Sequence, residues 1–416
     1  MSEKRRDNKG RVLKTGETQR PDGRYEFKFT DLGGKRRTIY SWRLVETDKI
    51  PTGKRDSMAL RDAEAKILRD IQDGVDQYMA MRITLNQYWE SYLKERCDIR
   101  PTTLRQYRGL YGKYIESELG TRPLAKIRFE DIKSLYLRLL GDGRKPSSVR
   151  AIQAMLHPVF KQAVRSGYMR INPTDGVVAE LRRTHNWTQT KRHALTEQEQ
   201  EALVDFVATS AQFSRYLSLV TVLLGTGMRI GECTGLRWED VDFAGNTISV
   251  NHVITIYKSD GETKQRAHIG PTKTQAGTRK IPMLAEVRSA LLNERLYQME
   301  HGTTPDVIDG YSGFIFQNTK RRVMMPYVAY NILRDIVKTY NALAEANGDP
   351  PLPRFSAHNL RHTFCTRFCE NETNIKVIQE IMGHASAQVT MDIYNEATKE
   401  KKAEAMKNLE GKMKIG

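Results

Sequence analysis

The sequence is short of the features that would cross-link a chain, insert it in a membrane or leave it unfolded. Four cysteines in 416 residues (Cys97, Cys233, Cys365, Cys369) are too few and too scattered for a disulfide framework. Their scarcity points to a reducing compartment, the cytoplasm. No apolar run reaches the length of a membrane span; the best, Leu217 to Leu224, is far too short. The opening residues Met-Ser-Glu-Lys-Arg-Arg contain no apolar core of a secretory signal. Internal repeats and low-complexity tracts are also missing. Acidic residues are outnumbered, 50 against 67 basic ones, which leaves a net charge of +17 and a pI near 9.6. Such a balance points to a polyanionic partner, the alternative being a merely soluble basic protein. With 39% hydrophobic and 28% charged residues the chain is globular rather than disordered, and its length leaves room for several domains.

The basic excess is uneven. Residues 1–55 hold sixteen Lys or Arg against eight Asp or Glu, a net +8. Within them Tyr25, Phe27 and Phe29 alternate with Arg24, Glu26 and Lys28, the period of a half-buried strand. After the Gly33-Gly34 turn, Thr38, Tyr40, Trp42 and Leu44 alternate with Arg37, Ile39, Ser41 and Arg43. Arg11 to Lys14, before Thr15-Gly16, is expected to add a third strand, and a helix is expected over about 60–71. A small sheet with a basic outer face, packed on one helix, is thus predicted for residues 1–75, with Arg24, Lys28, Arg37 and Arg43 placed to meet a nucleic-acid groove.

From Thr84 the period becomes helical. Leu85, Tyr88, Trp89, Tyr92 and Leu93 mark one helix, and Pro101-Thr102-Thr103 opens a second with Leu104, Tyr107, Tyr111 and Ile115. Ile132, Leu135, Tyr136 and Leu139 mark a third, stopped by Gly141-Asp142-Gly143. A fourth, from Ser147 or Ser148, buries Val149, Ile152, Leu156, Val159 and Phe160. The aromatics read as core, and Arg105, Arg108, Lys161 and Arg165, off the apolar stripes, as phosphate contacts. Residues 80–180 are therefore expected to form a four-helix domain. A basic linker without periodicity follows over 181–193, including Arg182, Arg183, Lys191 and Arg192, and Leu195-Thr196-Glu197 reads as the start of the next helix.

The chemistry lies further on. Gly225-Thr226-Gly227-Met228-Arg229 is a glycine turn that delivers an arginine, with Glu232 as its candidate partner; neither dinucleotide nor P-loop spacing follows. Strands are expected around Ile248 to Ile256, with a turn at Ser259-Asp260-Gly261, and a second hairpin over Pro271 to Pro282 with its turn near Gly277. Its Lys273, with Lys264 and Lys280 as rivals, is a candidate general acid for a poor alkoxide leaving group. His358 and Arg361 stand one helical turn apart. Gly383 suits a left-handed helix end, so His384 leaves the helix there, and Tyr394 follows ten residues later. Two arginines can grip the non-bridging oxygens of a phosphodiester, and a tyrosine can attack its phosphorus to leave a covalent link. His358, His362, Cys365 and Cys369 also fall at helical intervals, as zinc ligands do. Phenylalanines interleave them, cysteines at this spacing are usually small core residues, and no metal is expected.

Arg229, Lys273, His-x-x-Arg at His358 and Arg361, Gly-His at His384 and then Tyr394, in that order, resemble the tyrosine recombinase family, the phage-type integrases. The N-terminal stretch around Gly23-Arg24-Tyr25 and Tyr40-Ser41-Trp42 resembles the arm-binding domain of integrases from conjugative transposons. Isoleucine and methionine at 381 and 382 depart from the leucine more common before Gly-His. The resemblance implies a multidomain α+β protein: a three-stranded sheet with a helix, a four-helix core-binding domain, and a mostly helical catalytic domain over 194–400 with a small antiparallel sheet. A tail over 401–416 would be exchanged between subunits. It further implies a site-specific recombinase for a mobile element. Tyr394 would act as nucleophile, and Arg229, Arg361 and His384 would hold the phosphate. Lys273 would be the acid and His358 would assist the tyrosine's proton. The resemblance implies no cofactor and a 3′-phosphotyrosine that conserves bond energy. Strand exchange would pass through a Holliday junction in a homotetramer on two double-stranded DNA sites, of core and arm type, with DNA-bending or excision factors in the bacterial nucleoid. The alternatives are a type IB topoisomerase that relaxes DNA without a partner site, and a DNA-binding regulator that has lost catalysis.

Overall fold

In the computed structural model, which describes residues 5–185, 187, 194–258 and 263–397, the chain divides into two compact units, residues 1–190 and 191–416. Alternating apolar residues at the N-terminus build an antiparallel sheet of β1 (Glu17–Gln19), β2 (Tyr25–Thr30) and β3 (Arg36–Ser41). Its register sets Phe27 opposite Ile39 and Tyr25 opposite Ser41, so these side chains share one face. Tyr25, Phe27 and Ile39 pack there with Leu13, Leu44 and Leu60, the last from α1 (Leu60–Gln72).

Three details differ from expectation. The third strand follows Gly16 instead of preceding it. At Gly16 φ is +87°, and a Cβ would lie 2.8 Å from the Lys28 carbonyl and 2.9 Å from the Phe27 ring, so the chain turns there before it can pair. Ile39, rather than Tyr40, takes the inner face; Tyr40 is 47% exposed and its ring lies under Arg20 and Arg24. By the same register Arg37 faces Phe29 on the inner side, while Lys28 faces Thr38 on the outer one. Lys28 thus lies on the outer face, paired with Glu26 at 3.1 Å, and Arg37 on the inner side, paired with Asp31 at 2.7 Å; Arg24, just before β2, pairs with Asp22 at 2.7 Å. Arg43 is likewise held elsewhere, by Asp56 at 2.9 Å and the Ser57 carbonyl at 2.7 Å.

A short α2 (Gln77–Ala80) leads to the helices read from the sequence: α3 (Leu85–Glu95), α4 (Pro101–Tyr114), α5 (Phe129–Gly141) and α6 (Pro146–Arg165). Thr84 caps α3 in a reciprocal capping box with Gln87. The aromatic stripes are core: the Trp89 and Tyr111 rings stack with centroids 4.5 Å apart, and Tyr136 and Phe160 are fully buried. Arg105, Arg108, Lys161 and Arg165 are exposed. The expected linker starts too early, because α7 (Val177–Thr184) carries Leu181 into the helical core and leaves Arg182 and Arg183 exposed. Lys191 and Arg192 lie outside the described residues, as does the tail over 401–416.

The second unit opens with α8 (Glu197–Thr209), capped by Thr196. The apolar α9 (Leu217–Thr226) follows, then α10 (Ile230–Thr234), β4 (Val241–Asp242), β5 (Thr247–Val250), β6 (His252–Tyr257), β7 (Arg266–Pro271) and β8 (Arg279–Pro282). Helices α11 (Ala285–His301), α12 (Pro326–Asn347), α13 (Ala357–Asn371), α14 (Ile375–Met382) and α15 (Ala387–Ala397) complete it. With Leu219, Val220, Val222 and Leu223 all buried, α9 packs between α11 and α13. Two separate hairpins were expected here. The first is present, as β6 pairs with β7; the second does not form, because β8 pairs with β5 in a separate sheet, β4-β5-β8. The Thr272 hydroxyl donates to the Thr274 carbonyl (2.9 Å) and meets the Thr278 hydroxyl (3.0 Å). This pinches residues 272–278 into a side loop with a single tight turn, Gln275–Gly277. Among the described residues no helix is long and apolar enough to cross a membrane.

Candidate active site

Three segments bring basic side chains to one cavity of about 300 Å³, whose wall includes Arg229, His358, Arg361, His362, Cys365, Met382, His384, Val389 and Ile393. Each segment owes its place to a local signal. Gly227 ends α9 in the left-handed region at φ +60°, and Arg229 follows as the N-cap of α10. Gly383 ends α14 at φ +63°, which turns His384 back toward the cavity. His358 and Arg361 lie one turn apart on α13.

The guanidinium groups are fastened from behind. Arg361, 3% exposed, donates from Nη1 to the Gly227 carbonyl at 2.7 Å and from Nη2 to the Met382 carbonyl. One arginine thus joins the two glycine turns. Arg229 donates from Nη1 to Glu232 Oε1 at 2.6 Å and from Nη2 to the Gly383 carbonyl at 3.3 Å. Each guanidinium has five N–H donors, so both keep donors beyond these bonds for an anion in the cavity.

The electrostatics follow from burial under like charges. Burial, and then the Arg229 cation, push the Arg361 pKa down to about 9, which leaves it charged at neutral pH. Burial pushes the Glu232 carboxyl up, but the charges of Arg279 and Arg229 and the Arg229 amide outweigh it, and the net shift is down. His384 is pushed down to about 4 by burial and by Arg361, Arg229, Arg279 and His358. Near neutral pH it is therefore an uncharged imidazole, with Nδ1 2.9 Å from the Thr390 hydroxyl on α15.

Of the six residues read from the sequence, Arg229, His358, Arg361 and His384 share the cavity wall. Lys273 and Tyr394 stand outside it. Lys273 is exposed at the start of the Gln275–Gly277 turn, and that turn reaches the site: a Cβ on Gly383 would lie 2.9 Å from the Ala276 carbonyl. Tyr394 packs against the cluster of Cys365, Cys369, Ile378 and Met382, on α15 one turn beyond Thr390. That burial is where Cys365 and Cys369 belong, and no group of three or more possible ligands that could hold a metal occurs among the described residues.

Two residues escaped the sequence reading. Thr390, fully buried, carried no signal. Arg279, with 5% of its side chain exposed, carried a faint one: it shares a strand face with the buried Ile281, whereas Lys280 points the other way.

Known proteins show the same organisation. The model of the DNA-binding domain of the Tn916 integrase matches residues 1–71, that of the phage integrase N-terminal SAM-like domain matches 84–140, and that of the phage integrase family matches 193–401. A transposase from transposon Tn1545 of Streptococcus agalactiae is 35% identical over 412 residues, which span 98% of this chain and 97% of that protein. A transposase from transposon Tn916 of Enterococcus faecalis is 34% identical over the same spans. Among solved structures, the Tn1549 transposon integrase in complex with transposon right end DNA superposes with a TM-score of 0.69 at 28% identity. That match covers 79% of this chain and 99% of the other. Ordered motifs, fold and matches agree, and the chain belongs to the phage integrase family of tyrosine site-specific recombinases.

Proposed function

We propose that this chain integrates and excises a conjugative transposon by cutting and rejoining DNA through Tyr394. The observation that supports the reading is the convergence of Arg229, Arg361 and His384, from three distant segments, on one cavity of about 300 Å³, large enough to admit a phosphodiester. Two guanidiniums and a neutral imidazole present donors to the non-bridging oxygens of a scissile phosphate and to the charge that grows on them. The Tyr394 oxygen attacks phosphorus, His358 assists departure of the phenol proton, and the bond to the 5′-oxygen breaks. Lys273 donates a proton to that oxygen, which otherwise leaves as a costly alkoxide. The products are a 3′-phosphotyrosine and a free 5′-hydroxyl. Attack by a partner strand's 5′-hydroxyl reverses each step and exchanges strands.

In this reading residues 1–75 take arm-type sites through Arg24 and Lys28, and residues 80–180 hold core-type DNA. The matches of the N-terminal and SAM-like models support both assignments. Four copies act on two DNA sites through a Holliday junction, with bending or excision factors setting direction.

The test starts from duplex selected out of a randomised pool by the full-length chain, then nicked. Incubation with and without EDTA should give an adduct that survives SDS in both conditions, and none with Tyr394→Phe. An adduct that persists in Tyr394→Phe refutes the nucleophile assignment. Relaxation of supercoiled plasmid lacking any selected site would favour the topoisomerase alternative.

A further inference from the structure

Arg279 bonds to three segments around the site and is not among the residues lining the cavity. Its guanidinium uses all three nitrogens on three different segments. Nη2 donates to Glu232 Oε2 at 3.0 Å, Nη1 to the Gly277 carbonyl at 2.9 Å, and Nε to the Ile381 carbonyl at 2.7 Å. The first bond reaches the carboxylate that also holds Arg229. The second closes the turn that begins just after Lys273. The third grips the last turn of α14, directly before Gly383 and His384. A Cβ on Gly383 would lie 3.1 Å from both Cδ and Nη1 of Arg279, so the two segments are in tight contact. Only a planar fork of donors can meet these demands together; a lysine has one nitrogen.

We infer that Arg279 is a positioning residue that holds the Lys273 loop against the phosphate-binding segments, so that Lys273 can reach the leaving oxygen. The inference rests on the reading of Lys273 as the general acid. Two contacts matter for how the Lys273 loop is held. One is the Thr272–Thr278 hydroxyl contact at its neck, and the other is Gly277 at its far side, held by Arg279. Without the second, the loop keeps its neck and loses its alignment with Gly383. Arg229 and Arg361 keep their own bonds to Glu232, Gly227 and Met382, so phosphate binding survives.

The experiment uses the pool-selected nicked duplex in two forms, one with the natural 5′-bridging oxygen and one with sulfur in its place. Attack by Tyr394 then breaks a P–S bond, and the thiolate departs without needing a proton. On the oxygen substrate, Arg279→Gln and Lys273→Ala should each slow adduct formation by about 10²-fold or more. On the sulfur substrate, both should return to within about tenfold of the unsubstituted chain, since the missing proton donor no longer matters. DNA affinity should be unchanged. If Lys273→Ala is restored by sulfur and Arg279→Gln is not, the inference falls and the acid assignment stands. If Lys273→Ala is not restored, the acid assignment falls and takes the inference with it. Arg279→Lys keeps a charge beside Glu232 but cannot bridge three segments, and it serves if the glutamine variant does not fold. It should show the same sulfur-restored defect at smaller size, and full activity on the oxygen substrate would overturn the proposal.

Discussion

Substituting Gly383 with alanine probes the join between the Lys273 loop and the phosphate cradle, and a matched control separates its two costs. At φ +63° an alanine pays the left-handed penalty of about 1–2 kcal/mol. Its Cβ would also stand 2.9 Å from the Ala276 carbonyl. That neighbour is backbone within a tight turn and cannot rotate aside, so forcing it away adds about 1–3 kcal/mol. Gly383→Ala should therefore cost roughly 2–5 kcal/mol. Gly348, which ends α12 at φ +78°, has nothing within 4 Å of its Cβ position. Gly348→Ala should cost only the conformational part, about 1–2 kcal/mol. Urea unfolding of the full-length chain, followed by circular dichroism through the transition of the catalytic unit, measures both. Equal losses in the two variants would show that the Ala276 contact is not tight, and would remove the ground for coupling the loop to His384.

Other consequences follow from the same geometry. Glu232→Ala leaves the Arg279 cation buried without its carboxylate and should cost about 3–5 kcal/mol, with Glu232→Gln milder, as thermal melting of the variants would show. His384, held at a pKa of about 4 when folded against 6.5 for a free imidazole, binds its proton more readily when unfolded. Stability should accordingly decline as pH falls from 6.5 toward 4, with a limiting slope of about 1.4 kcal/mol per pH unit. A denaturant series across that window should be flatter for His384→Gln, and an equal slope would refute the assignment. Thr390→Val removes the partner of His384 Nδ1, a bond worth about 0.5–1.5 kcal/mol; adduct formation should slow by up to about tenfold and recover in Thr390→Ser.

Legibility in the sequence tracked how local each determinant is. Arg229 and His384 could be placed because each follows a glycine that ends a helix in the left-handed region, a signal contained in a few residues. His358 and Arg361 needed only helical spacing. Arg279 could not be found this way, because two of its three partners lie 47 and 102 residues distant and nothing near position 279 names them. The partner of β8 was missed for the same reason: β8 pairs with β5 and not with β7, and local turn chemistry is silent on that choice. In β3, apolar residues stand at both parities, Ile39 and Tyr40, so alternation alone left the inner face open until pairing with Phe27 decided it.

In the proposed reaction Tyr394 supplies the nucleophile, although it stands outside the wall of the cavity. On that proposal a copy changed only at that hydroxyl, Tyr394→Phe, would still bind DNA and join an assembly with intact copies. In a cell carrying both forms, mixed assemblies would stall wherever one such copy must cut. Activity would then fall with a power of the intact fraction instead of in proportion to it. Genetically, the loss of one oxygen would behave as a dominant trait, whereas most lesions that unfold the catalytic unit would be recessive.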